Sequence, residues 1–162
     1  MNMPITSVDK DPRTLTLTVI GDYPVTQKRL WDAYAEPRQL ERFWGPVEWP
    51  AKFTRHDMKV GGRSEYCMTG PNGEKSAGYW TFLAVDPIDS FVVKDGFATE
   101  EGVENALMPS MTMKFTFHTT KTGARVQCVT TFPGLEAMEQ LTQMGMEEGL
   151  RSAMGQLDAV LA

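Results

Sequence analysis

Cysteine and histidine are scarce in this chain: Cys67, Cys128, His56 and His118 are the full complement among 162 residues. Neither type shows metal-ligand spacing and the carboxylates are scattered, so no metal site is expected. The two cysteines stand far apart in sequence. Reduced thiols in a cytoplasmic protein are a plainer reading than a disulfide framework. Positive charge is in the minority, with sixteen Lys and Arg against twenty-one Asp and Glu and a net charge of −5. That balance argues against nucleic acid and anionic membrane as partners, because both demand a basic surface. No apolar run approaches the length that spans a bilayer, so membrane insertion is not expected. Met1 to Lys10 contains Pro4 and Asp9 and lacks the apolar stretch of a signal peptide. No nucleophile elbow is present, and neither Ser64 nor Ser110 has a base beside it in sequence. Gly61-Gly62 lacks the lysine and following helix of a phosphate-binding loop, and nothing points to a cofactor. Repeats, low-complexity tracts and linkers are missing as well.

What remains is apolar material enough for one core. Hydrophobic residues make up 41% of the chain, and its length suits a single domain over residues 1–162, with 1–12 as an N-terminal extension. Methionine is abundant, at eleven residues. Met138, Met144, Met146 and Met154 fall in the C-terminal segment, and Met108, Met111 and Met113 fall together in another. Methionine fills irregular space and adapts to varied neighbours. Core filler is the plainer reading, a deformable cavity wall the sharper one.

Periodicity gives the elements. Leu15, Leu17 and Val19 alternate with threonines, which predicts a first strand over Thr14–Ile20. Thr26 suits an N-cap, and Leu30, Trp31 and Tyr34 share one side of the helix that follows. Pro37 stops that helix, and Arg38–Phe43 reads as a second short one. Strands are expected over Ala51–Met58, Arg63–Thr69, Gly78–Val85 and Ser90–Lys94, with Gly70-Pro71-Asn72-Gly73 as a hairpin loop. Asp95–Pro109 reads as a long polar loop. Ser110–Thr119 alternates most clearly, with Met111, Met113, Phe115 and Phe117 on one face. Arg125–Phe132 is the seventh strand, and Pro133-Gly134 opens a long helix whose stripe is Met146, Leu150, Met154, Leu157 and Leu161.

Short turns between successive strands imply an antiparallel sheet. The fold class is therefore α+β: a curved seven-stranded antiparallel sheet around a long C-terminal helix, with two short helices between the first and second strands. A curved sheet and one helix touch tightly at the ends and loosely in the middle. A cavity there is a geometric expectation. Tyr79, Trp80 and Phe82 cannot all face one side of the fourth strand, and their exposure would favour a homodimer through the sheet.

Several segments carry a family resemblance: Leu30-Trp31-Asp32-Ala33-Tyr34 with Pro37, Phe43-Trp44-Gly45-Pro46, His56-Asp57 with Gly61-Gly62, Met68-Thr69-Gly70-Pro71, Asp95-Gly96-Phe97, and Gly149-Leu150 with Met154, Leu157 and Leu161. In this order and spacing the chain, from about Val25 to Ala162, resembles the helix-grip superfamily (SRPBCC, START-like). Within it, the chain is similar to the branch named after the C-terminal domain of the heat-shock-protein-90 ATPase activator. Many relatives carry two tryptophans where this chain has Phe43 and Trp44, and an aromatic at Leu150. Both changes exchange apolar groups and should reshape a pocket without abolishing it. The resemblance implies a cavity for a small hydrophobic molecule and supplies no shared catalytic residues.

The residues expected to meet such a molecule are Trp31, Tyr34, Phe43 and Trp44 from the helices and His56, Tyr66, Met68 and Trp80 from the middle strands. Met111, Met113 and Phe115, with Leu150 and Met154, complete the set. The first functional reading is a binder of a lipid, polyketide-like or aromatic ligand. The second is a cyclase, aromatase or hydratase in the same cavity, with His56 as acid or base, Tyr66 assisting. Against it stands a histidine satisfied by a backbone carbonyl. The third is a co-chaperone-like modulator of the chaperone ATPase. Arg63, Glu65 and His118 alternate away from the apolar faces and read as solvated.

Overall fold

The computed structural model describes residues 4–99 and 101–162. Eight strands form one antiparallel sheet: β1 (Ile5–Asp11), β2 (Thr16–Tyr23), β3 (Ala51–His56), β4 (Arg63–Thr69), β5 (Lys75–Asp86), β6 (Ser90–Ala98), β7 (Met111–Thr119) and β8 (Ala124–Thr131). Their spatial order is β1-β2-β8-β7-β6-β5-β4-β3. Helices α1 (Gln27–Ala35) and α2 (Pro37–Phe43) cross from β2 to the far edge strand β3. Helices α3 (Leu135–Gln143) and α4 (Met146–Leu161) close the chain.

Local chemistry explains these boundaries. The Thr26 side chain accepts from the Arg29 backbone N–H at 3.1 Å and caps α1, and Pro37 opens α2, where its missing N–H costs nothing. Alternation puts Leu17, Val19 and Tyr23 of β2, Met113, Phe115 and Phe117 of β7, and Val126 and Cys128 of β8 into one core. Helix α4 lies across β1 and β2 and against α1 and α2. The Tyr23 hydroxyl donates to the Met154 carbonyl at 2.5 Å, and Gln156 Nε2 donates to the Gly45 carbonyl at 2.8 Å. These bonds fasten the helix to the sheet and to the turn after α2.

Four expectations need correction. The sheet has eight strands, because part of the expected N-terminal extension is β1, paired with β2 from Ile5↔Gly21 to Asp11↔Thr16. With only Ile5 and Val8 as half-buried apolar residues on a polar strand at the sheet edge, β1 carries little alternation. The C-terminal helix is two helices, since Gly145 takes the left-handed φ of 89° and turns the chain between them. Strand β6 continues through Asp95-Gly96-Phe97-Ala98, so the expected loop begins later. Finally, Tyr79, Trp80 and Phe82 are all buried, at 3%, 0% and 1% exposure. Trp80 and Phe82 enter the core. Tyr79 lies on the opposite face, roofed by the Arg63 guanidinium 4.6 Å from its ring centre and by Lys94 at 5.9 Å. The exposed aromatic patch that suggested a homodimer is therefore not there.

Candidate functional site

The Phe43-Trp44-Gly45-Pro46 segment sets one wall. Phe43 ends α2 and is fully buried, and the Trp44 N–H caps the helix on the Leu40 carbonyl at 2.9 Å. Gly45 then takes a φ of 99°, which turns Pro46 over the sheet. The Trp44 ring meets Trp80 edge-to-face at 5.0 Å. Beyond Trp44 opens a cavity of about 350 Å³ between the sheet and the α3–α4 break. Its floor comes from Tyr66 and Met68 of β4, Ser76 to Gly78 of β5, Asp95 to Phe97 of β6, and Met111 and Met113 of β7. Leu141 and Met144 to Met146 form part of the roof, with Gly149, Leu150 and Ala153 of α4. Trp49 and Pro109 complete the rim. A second hollow, about 410 Å³, is a surface crevice among Pro24 to Gln27 and the β7–β8 turn, without an ionisable side chain.

Of the residues expected to meet a ligand, Trp44, Tyr66, Met68, Met111, Met113 and Leu150 line the cavity. Trp31, Tyr34, Phe43, His56, Trp80, Phe115 and Met154 do not. They pack into the solid part of the core, where Phe91 stacks on Phe115 at 4.6 Å and Trp31 meets Phe117 at 5.2 Å. His56 serves structure there. Its Nε2–H donates to the Tyr34 carbonyl at 2.9 Å, and its Nδ1 accepts from the Ser64 hydroxyl at 2.7 Å. A carbonyl only accepts, which fixes this tautomer. Burial pulls the imidazole pKa below its ordinary value, with the Tyr34 carbonyl opposing, so the ring stays neutral.

Asp95 is the buried, cavity-lining carboxylate that sequence reasoning missed. Ending the fifth strand at Lys94 hid the fact that Asp95 follows Phe91 and Val93 onto the inward face. It is 5% exposed and sits directly across from Trp80 on β5 and Met111 on β7. Tyr66 Oη donates to Asp95 Oδ1 at 3.4 Å and Trp80 Nε1 donates to Oδ2 at 3.3 Å. Both are long for bonds to a carboxylate, which run near 2.7–2.9 Å for charged N–H donors (about 2.5–2.7 Å for O–H). Burial pushes the Asp95 carboxyl up to about 7, against the pull of the Trp80 and Tyr66 donors. Among the described residues Trp44 Nε1 is buried without a hydrogen-bond partner, although its dipole is felt at the Tyr66 oxygen.

Gly78 makes this arrangement possible. It lies opposite Tyr66 on the neighbouring strand, and a Cβ there would fall 2.5 Å from the Tyr66 ring and hydroxyl oxygen. Glycine lets the ring lie across β5 with its hydroxyl toward Asp95. Among the described residues, no cluster of His, Cys, Asp and Glu could hold a metal ion.

With this geometry in hand, relatives can be compared. The family model described as activator of Hsp90 ATPase homolog 1-like protein matches residues 24–162. The chain belongs to this family. Protein Ms6760 from Mycobacterium smegmatis is 45% identical, with 98% of each chain covered and a TM-score of 0.91. A protein from Arthrobacter aurescens is 39% identical over 96% of this chain and 90% of its own, also at 0.91. The AHSA1 protein from Silicibacter pomeroyi, 20% identical over 90% of this chain and 96% of its own, shares the fold at 0.73. Comparison with curated proteins gave no match. The chain is thus a member of the activator of Hsp90 ATPase homolog 1-like family with the helix-grip fold. No helix of the described residues is long and apolar enough to cross a membrane.

Proposed function

We propose that this protein binds one small, mainly apolar molecule in the cavity between the sheet and the α3–α4 pair. The observation that carries the reading is the space itself. About 350 Å³ stays open beside a core that is otherwise filled by side chains. Small-molecule sites are typically hollows of about 300–1,000 Å³ with apolar walls and a few polar groups. Here the walls are Trp44, Trp49, Phe97, Leu150 and methionines, and the polar groups are Tyr66, Asp95 and Ser76. Methionine at 68, 111, 113, 144 and 146 gives those walls flexible, polarisable surface. The enzyme reading loses its proposed base, since His56 lies outside the cavity with both ring nitrogens engaged.

The test is titration with a neutral solvatochromic dye such as Nile red, followed by displacement with apolar compounds. A saturable single site that disappears when Gly149 is replaced by leucine supports the reading. Absence of saturable binding to the wild-type protein overturns it. Native mass spectrometry of protein purified from its own cells would identify a co-purified molecule by mass.

A further inference from the structure

Among the described residues, the cavity lining holds one carboxylate and no cation. Of those lining side chains only Asp95 and Tyr66 can ionise, and no Lys, Arg or His is among them. We propose that the ligand is an apolar molecule ending in a protonated amine, and that the Asp95 carboxylate is its counter-ion. The inference rests on the binding reading above and specifies the chemical class it takes.

The argument is one of unmet demand. A carboxylate offers roughly four acceptor sites. Among the described residues Asp95 uses two of them, on donors at 3.4 Å and 3.3 Å. A buried charge is tolerated when it is paired, and an unpaired one is costly. No protein cation among the lining residues supplies the pair, so an incoming ammonium would relieve the site. The surroundings suit a cation. Trp44, Trp49, Tyr66 and Phe97 present aromatic rings, the kind of wall on which ammonium ligands are held. The same charge works against fatty acids and other carboxylates, because two like charges would share one mainly apolar space.

Proton occupancy follows the same geometry. The titratable groups that face Asp95 are Tyr66 from β4 and, through the core, Cys128 from β8, which feels its charge. Strands β5 and β7 bring Ser76, Ala77, Gly78, Met111 and Met113, and α3 and α4 bring Leu141, Leu150 and Ala153, none of them ionisable. Glu147 and Glu148 of α4 lie outside the lining. Burial holds the Asp95 carboxyl near 7, whereas an alkyl amine titrates far higher, so rising pH through 7 creates the carboxylate while the ligand stays charged.

The experiment uses the full chain and three probes of matched shape: naphthylmethylamine, naphthylmethanol and naphthylacetate, each displacing Nile red. At about pH 8 the amine is expected to bind about tenfold or more tighter than the alcohol, and naphthylacetate more weakly than both. Lowering the pH to about 5.5 should shrink the amine preference in the wild type. Asp95→Asn should erase it, bringing amine and alcohol to within about twofold of each other. Equal affinity for amine and alcohol, tightest binding of naphthylacetate, or an amine preference that survives Asp95→Asn would each overturn the counter-ion assignment. Those results would leave the binding reading standing so long as Nile red and the alcohol still bind. Failure of every probe to bind the wild-type protein would remove both.

Discussion

At the α1 end of the concave sheet face, Trp31, Tyr34, Phe91 and Phe117 pack ring on ring. At the α3 end, Trp44, Trp49, Tyr66 and Phe97 stand around open space. Both ends are rich in aromatic rings, so residue type alone does not separate them. What differs is the covering element. Helix α1 pushes two large rings down into the sheet. The α3–α4 break instead lays Gly145, Gly149 and Ala153 over the hollow. The buried polar groups differ in the same way. His56 has two bonds, of 2.7 Å and 2.9 Å, while Asp95 has two of 3.3 Å and 3.4 Å. A satisfied polar group holds the fold together. An under-satisfied one beside a cavity is available to a ligand.

This contrast breaks most visibly through the apolar side chains. Phe91→Ala at the solid end should cost about 3–5 kcal/mol, read by urea denaturation. Met111→Ala at the open end should cost less than about 2 kcal/mol, because the wall already borders empty space. Equal costs would mean the two ends are packed alike.

The next effect is electrostatic. Between the ordinary 3.8 and about 7, native Asp95 keeps a proton that the unfolded chain has released, so stability falls as pH rises through this window. The full penalty, at most roughly 4 kcal/mol, is present above it. Asp95→Asn should therefore stabilise the protein most near pH 8 and least near pH 4, in denaturation curves taken across pH. His56 acts with the opposite sign. Its lowered pKa means the unfolded chain takes up protons first, so its contribution is lost as pH falls below 6.5.

His56→Ala should cost about 1–3 kcal/mol by leaving the Ser64 hydroxyl and Tyr34 carbonyl unpaired. Nile red affinity should stay unchanged, and a loss of binding would move His56 into the site. The smallest stability change belongs to Gly149→Leu. Its Cβ would meet only Pro46, at 3.6 Å, and the helix should gain up to about 1 kcal/mol. Dye affinity should nevertheless drop by tenfold or more if the hollow is the binding site.

The middle and late strands and the inward face of β7 were legible because a half-buried strand writes its burial pattern directly, and both early helices from the Thr26 cap, the shared side of Leu30, Trp31 and Tyr34, and Pro37. Strand β1 was not, since a polar edge strand with one thinly covered face needs few apolar residues. Trp44, Tyr66, Met68, Met111, Met113 and Leu150 could be named for the cavity wall by type and face. They could not be told apart from Trp31, Tyr34 or Phe115, which have the same character and fill space instead. Asp95 was within reach, two residues beyond Val93 on the same face. A carboxylate after an apolar run reads as the end of a strand, and that signal prevailed.

The pattern of apolar residues along the chain determined by itself which side of each strand and helix turns inward, because hydrophobic burial is set residue by residue. Whether the inward side meets a ring or a gap was decided only in three dimensions. That outcome depends on how far Gly145 swings α4 from α3, and on Gly78 yielding its place to Tyr66. Filling is a property of facing surfaces, and neither surface carries it alone.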